Sequence, residues 1–286
     1  MKKLCLSIAV ALFPLGAQVI SQTTIHLNPV EDAALYESHT AYGNGAGDWL
    51  FAGLTNQNSP RRSLIQFDLS SIPANANIRS ATLTLFKDKG NGSGHTSLHR
   101  VTTDWLEGSA NATEEEGQGT NASSLGGATW SHAVFNLTAW SALGGDFLIP
   151  ARASAEVGSA NGPYSWSSAN LASDVAAWML DPSNNHGWMI IGDESADPNS
   201  TARFRSRENP QNPPVLSVTY TLGCPSINAL SGIIPSGIYR ASLLVSSTGF
   251  IEDGSSVIFD APMTRLDPEF KVYKGGELSV LTAGCN

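Results

Sequence analysis

One stretch of the sequence, residues 60–73, constrains the fold more than any other. It reads PRRSLIQFDLSSIP, and residues 78–85 continue the alternation of apolar and polar side chains after a short break. Alternation with a period of two is typical of a strand with one buried face, and Ser-Ser-Ile-Pro is typical of a connection between strands. The pattern predicts two strands of a β-sandwich rather than a catalytic motif.

Short runs of the same kind recur along the chain. Each is closed by Gly, Pro, Asn or Ser, and they lie at residues 101–105, 147–149, 188–191, 204–207 and 215–220. Regularly spaced short strands with turn residues between them predict an all-β fold.

The N-terminus predicts export. Lys2 and Lys3 precede an apolar stretch at residues 4–15, and small residues follow it, which is the pattern of a cleaved signal peptide spanning residues 1–22. No later segment approaches the ~20 apolar residues of a membrane helix. We therefore expect a secreted protein, extracellular or on the cell surface, without membrane insertion.

Charge narrows the choice of partner. Without the signal peptide, 14 basic residues stand against 25 acidic ones, a net charge of about −11. Nucleic acid is a poor partner for such a chain, and no motif requires a cofactor.

The cysteines indicate a second, smaller domain. Cys5 leaves with the signal peptide, so Cys224 and Cys285 remain, and we expect them to form a disulfide in an oxidising compartment. A metal or redox pair is the weaker alternative because the chain has no C-x-x-C and no nearby His.

Between these cysteines the sequence repeats with a period of about 20 residues. The segment at 250–261, FIEDGSSVIFDA, is echoed at 270–283 by FKVYKGGELSVLTA. We predict a sandwich over 24–221 and a disulfide-closed stack of β-hairpins over 224–286, which serves as a spacer or anchor.

Several motifs of the larger segment together resemble the DNRLRE-domain group of bacterial secreted modules. They are DAALY at 32–36, the run at 61–73 with 78–83, DVAAW at 174–178, and FRSRE at 204–208 with 214–220. The resemblance implies a β-jelly-roll that binds carbohydrate without catalysis, although a Gly-rich insertion at 107–130 departs from the family pattern. Residues 227–285 resemble the three-coathanger stack domain of proteins from polysaccharide-degrading bacteria.

A search for catalytic motifs also favours a protein without catalytic activity. The chain has no G-x-S-x-G, and His95 and His99 lie four apart in a segment that does not read as a helix, so they do not converge on a metal. We expect no enzymatic activity. A polysaccharide lyase or glycoside hydrolase stays open as an alternative because paired carboxylates leave no sequence signature.

The candidate ligand-binding residues are mainly arginines. Arg203, Arg205 and Arg207 would share one face of a strand, ~7 Å apart, and Arg61 and Arg62 would add two more cations. Guanidinium groups suit the carboxylates of a uronate-containing polysaccharide.

The alternative for these arginines is internal pairing with acids such as Asp68 and Glu208. A structural or adhesive role, with a protein as the partner, is the corresponding alternative function.

Two further groups of residues complete the candidate site. Trp49 and Trp166 lie in Gly- and Ser-rich segments and could stack on sugar rings, while the other tryptophans are expected in the core. The acidic loop with Asp193, Glu194 and Asp197, together with Asp32, could bind a structural calcium ion, with a solvated turn as the alternative. The glutamates at 114–116 are expected to form a solvated, mobile loop.

Overall fold

The structure is a computed structural model that describes residues 22–91, 94–122, 126–195 and 199–285. The predicted signal peptide lies, except for Gln22, outside the described residues.

The N-terminal part is built from short strands and one helix, as far as these residues show. The strands are β1 (Gln22–Leu27), β2 (Pro29–Tyr36), β3 (Tyr42–Asn44), β4 (Trp49–Leu54), β5 (Pro60–Phe67), β6 (Ala76–Lys89), β7 (His95–Arg100), β8 (Thr120–Asn121), β9 (His132–Val134), β10 (Thr138–Ala139), β11 (Ala153–Glu156), β12 (Gly162–Ser167), β13 (Trp188–Ile191), β14 (Ala202–Arg205) and β15 (Val215–Leu222). Helix α1 (Ala169–Leu180) lies between β12 and β13.

These strands form an antiparallel β-sandwich. One sheet has the order β1-β15-β6-β14-β4, with β12 on the other side of β6. The second sheet has the order β5-β13-β7-β11 and continues from β5 through β2 and β3 to β8. The last residues of β4 pair with β5 and join the two sheets. The all-β sandwich predicted from the sequence is therefore confirmed.

The main core fills the space between the sheets. Leu83 and Leu85 of β6, Phe204 of β14 and Trp188 of β13 are fully buried there, as the alternation predicted. Helix α1 begins at the N-cap Ser168, whose hydroxyl accepts the Leu171 N–H, and closes one end of this core.

A second apolar cluster lies on the outer side of the second sheet. Trp105, Trp130 and Trp140 come from the connection between β7 and β11 and pack against Leu64 of β5 and Met189 of β13. This connection contains the Gly-rich insertion. It is packed on the sandwich because its tryptophans bury apolar area that the sheet would otherwise expose.

The C-terminal part is also built from short strands. They are β16 (Ile227–Leu230), β17 (Gly237–Arg240), β18 (Leu244–Ser247), β19 (Phe250–Ile251), β20 (Ser256–Asp260), β21 (Met263–Leu266), β22 (Lys271–Val272) and β23 (Glu277–Leu281).

These C-terminal strands pair in parallel with the strands one repeat away. The pairs are β16-β18-β21, β17-β20-β23 and β19-β22. The predicted β-hairpins are wrong in this respect, because each repeat is one coil of a solenoid and the next coil supplies its hydrogen-bond partners. The side chains of Val245, Val257 and Phe259 point inward and form its core.

Cys224 and Cys285 form a disulfide with a Cα–Cα distance of 5.6 Å. This confirms the predicted pairing, which joins the chain before the first coil to the chain after the last. No helix among the described residues has the length and apolarity to cross a membrane.

Candidate functional site

The outward side of the β6 sheet carries the candidate site. In β14, Ala202 and Phe204 are buried whereas Arg203 and Arg205 point outward, as the period of two predicted. Trp49 of β4 lies opposite Arg205 in register and therefore on the same side of the sheet. We call this side of the sheet the polar face.

Arg203 is held by acids and by an aromatic ring. Its Nε and Nη2 donate to the Asp88 carboxylate at 2.9 and 3.0 Å, and its Nη1 lies 2.6 Å from Glu115. Its guanidinium carbon is 3.9 Å from the centre of the Trp49 ring, so it covers that ring. Its charge is neutralised, and Trp49 has little free ring surface for a sugar.

Arg207 lies beyond the end of β14 and forms a separate ion-pair group. Its Nη2 is 2.5 Å from Glu107 and 2.9 Å from Glu208. Hydrogen bonds to Glu107 raise the pKa of Arg207 above the ordinary arginine value. Internal pairing, the alternative considered for Glu208, is therefore found, whereas Asp68 binds Ser70 instead.

Arg61 and Arg62 lie on β5, in the other sheet. Arg61 is 3% exposed, and its guanidinium donates to Ser59, Ser38 and Gly117. Burial lowers the pKa of Arg61. Arg62 binds both carboxylate oxygens of Glu194 at 2.8 Å.

The expected single row of free guanidinium groups is therefore wrong. The five arginines lie in two sheets and a turn, and Arg62, Arg203 and Arg207 each have an acid partner.

Arg205 differs from these paired arginines. Its Nη1 donates to the Gln211 carbonyl at 2.7 Å, and its guanidinium carbon lies 4.4 Å from the centre of the Phe86 ring. Within the described part of the chain, no carboxylate lies within 4.0 Å of it. It is half-buried, which leaves part of an uncompensated positive charge accessible at the polar face.

Trp166 does not provide a stacking surface, contrary to our expectation. It is completely buried, its Nε1 donates to the Thr96 carbonyl at 2.8 Å, and its ring packs edge-on against Phe204. In β12 it alternates with Ser165 and Ser167, which take the outward positions, so the strand directs the indole into the core.

Sequence reasoning missed the hydroxyl groups that extend the polar face. The row consists of the hydroxyls of Ser217, Thr82 and Ser167 and the imidazole of His26, which are in register across β15, β6, β12 and β1. Neighbouring strands lie ~4.8 Å apart, so this row spans about 14 Å. The signal was present in the alternating motifs T-L-T at 82–84, S-W-S at 165–167 and S-V-T at 217–219.

Of the residues predicted to bind calcium, Asp193 and Glu194 are not grouped with Asp32. Asp193 accepts hydrogen bonds from Ser195, which lower its pKa, and Glu194 pairs with Arg62. Asp197 lies outside the described residues. Asp32 is instead grouped with Glu107 and Glu208, with one carboxylate oxygen of each within 4.8 Å of the others.

The glutamates at 114–116 are more than the solvated loop we expected. Glu116 is buried and accepts hydrogen bonds from the Asn44 side chain and from the backbone N–H groups of Asp48 and Trp49. Glu115 pairs with Arg203 and Lys89. Both residues thereby position the β4 end of the polar face.

A cleft of about 430 Å³ lies between α1 and the residues that follow β5. Phe67, Trp178 and Met179 contribute apolar surface to it, and Asp68 contributes a negative charge. Its lining contains no lysine or arginine, so it does not suit an anionic polymer.

The polar face of this antiparallel sandwich thus combines hydroxyl, aromatic and guanidinium groups. Residues 23–136 match the family model of carbohydrate-binding module family 96, so this part of the chain is a carbohydrate-binding-module-like domain. The matched segment runs from β1 to β9 and ends before Arg203 and Arg205. Comparison with curated proteins gave no match.

Proposed function

We propose that the N-terminal sandwich of a secreted protein binds an anionic, uronate-containing polysaccharide on its polar face without cleaving it. The C-terminal solenoid would serve as a spacer or anchor. The observation that carries this proposal is Arg205, a cation without an acid partner in the described chain, which contacts Phe86 on the same face of the sheet as the hydroxyl row.

Each group on this face has a role in that proposal. Arg205 would form a charge-assisted hydrogen bond with a uronate carboxylate. Phe86 supports the guanidinium from below, which reduces the conformational freedom lost on binding. The hydroxyl groups of Thr82, Ser167 and Ser217 would bind the sugar hydroxyls along the chain.

The support from the family match concerns carbohydrate binding in general. The preference for an anionic polymer depends on Arg205 alone, because the whole protein is acidic and repels polyanions at long range. The attraction to the polymer should therefore act only at short range, and added salt should weaken the binding.

Affinity electrophoresis in gels that contain sodium alginate or pectate tests the proposal. We expect retardation of the wild type, and about tenfold weaker binding of Arg205→Ala, since a charge-assisted hydrogen bond is worth about 1.5 kcal/mol. Arg205→Lys should be intermediate because it keeps the charge but loses the planar fork.

Arg265→Ala is the matched control. Arg265 is an exposed arginine of the solenoid, paired with Asp267, and its loss changes the net charge equally. Equal retardation of Arg205→Ala and wild type would refute the assigned site.

Other outcomes distinguish the alternative functions. Release of unsaturated or reducing ends would indicate a lyase or hydrolase. Unretarded migration together with concentration-dependent oligomers would indicate a structural or adhesive role.

A further inference from the structure

Three carboxylates from distant parts of the chain meet beside the turn that follows β14. Asp32 belongs to β2, Glu107 to the connection after β7, and Glu208 follows Arg207. One carboxylate oxygen of each lies within 4.8 Å of the others. Oxygens that bind one calcium ion at about 2.4 Å lie at most about 4.8 Å apart, so these three oxygens are close enough together to share an ion.

The charges of this group are not balanced by other side chains among the described residues. Arg207 is the cation that contacts it, through Glu107 and Glu208, and the Arg207 N–H donates to Asp32 Oδ2 at 2.8 Å. Three ionised carboxylates and one guanidinium carry a net charge of −2. A divalent cation would neutralise them.

The hydrogen bonds are also incomplete. The Glu208 Oε2 atom is buried and has no hydrogen-bond partner among the described residues. Asp32 is 1% exposed, and in the described chain its carboxylate accepts only the bond from Arg207, which leaves Oδ1 without a donor. A buried carboxylate oxygen without a donor is costly unless a cation contacts it.

We propose that Asp32, Glu107 and Glu208 form a calcium site. Calcium accepts carboxylate oxygens in flexible arrangements with six to eight ligands, of which water and backbone carbonyls supply the rest. Magnesium fits less well, because it requires a near-octahedral shell and retains several waters.

The site would join three segments that share no strand pairing at this point. Glu208 lies three residues after Arg205, so a bound ion would also fix the end of the strand that carries the polar face. The proposal does not depend on polysaccharide binding.

Isothermal titration with CaCl2 and thermal unfolding of the chelator-treated protein test it. We expect about one calcium ion per chain and, at a concentration 100-fold above Kd, a Tm increase of about 5–10 °C. MgCl2 should have a smaller effect at the same concentration.

Glu208→Gln should abolish calcium binding and its Tm increase. In EDTA this variant should be at least as stable as the wild type, because it removes repulsion among the carboxylates. Asp193→Asn, in the acidic loop that the sequence offered as a calcium candidate, is the matched control and should respond to calcium like the wild type.

Two results would overturn the proposal. One is an unchanged calcium response in Glu208→Gln. The other is a wild type that does not bind calcium. A Glu208→Gln variant that is destabilised equally with and without calcium would then assign Glu208 to an ion-pair network with Arg207.

Discussion

Removal of the Glu116 carboxylate should destabilise the sandwich substantially, although Glu116 lies in a run of three glutamates. Its side chain accepts hydrogen bonds from Asn44 Nδ2 at 2.6 Å, Asp48 N at 3.0 Å and Trp49 N at 3.1 Å. Glu116→Ala leaves these three donors without their acceptor, and Asn44 is buried.

The magnitude follows from these contacts. Hydrogen bonds to a charged group contribute about 1.5–3 kcal/mol each, so three give roughly 5–9 kcal/mol before the cost of burying the carboxylate. That cost is real, because burial raises the pKa of Glu116. We therefore expect a net loss of about 3–5 kcal/mol in the free energy of unfolding, the usual result of removing one partner of a buried charged group.

Urea unfolding followed by tryptophan fluorescence measures this loss. Glu114→Ala is a close control, because Glu114 has the same backbone φ of 58° as Glu116 and an exposed side chain. It should change the free energy by less than about 0.5 kcal/mol. The free energy of unfolding of Glu116→Gln should lie between those of the two alanine variants, because its amide oxygen still accepts hydrogen bonds whereas its amide nitrogen would face one of the donors. Equal stabilities of Glu116→Ala and Glu114→Ala would refute the reasoning.

Two further predictions concern stability. Replacing both Cys224 and Cys285 by Ala should lower the free energy of unfolding by up to about 4 kcal/mol, because the disulfide closes a loop over a separation of 61 residues. Calorimetry should show this loss in the unfolding of the solenoid, and an unchanged unfolding profile would contradict the prediction. Hydrogen bonds from Ser70 lower the pKa of Asp68 below 3.8, so its contribution to stability is present above that pH and is lost as the pH falls through the folded-state pKa. Asp68→Asn should accordingly lose less stability than the wild type between pH 5 and pH 3, measured by thermal melts.

The strands could be predicted from the sequence because alternation records burial directly. The outward positions of Arg203 and Arg205 followed from the same period. What these arginines contact could not be predicted, since Asp88 and Glu115 are separated from Arg203 by 115 and 88 residues along the chain. Trp166 was misplaced because neighbouring serines suggested a loop, whereas they are the outward positions of a strand.

The repeat of the C-terminal part was equally visible, but its pairing was not. A Gly turn between two apolar runs is compatible with a hairpin and with the corner of a coil. In the structure Gly254 and Gly275 lie at stacked corners, and the Gly254 N–H donates to the Gly275 carbonyl at 3.1 Å. Parallel strands require a crossover connection, which each coil of a solenoid supplies within its own length.

The distinction between a binding arginine and a structural one depends on acids elsewhere in the fold. Arg203 and Arg62 hold distant segments together, so replacing either removes a half-buried ion pair and lowers stability along with any effect on ligand. Arg205 has no such pair among the described residues, and its replacement removes the ring contact with Phe86 and one hydrogen bond to the Gln211 carbonyl. For this reason Arg205→Ala separates ligand binding from folding, whereas Arg203→Ala confounds them.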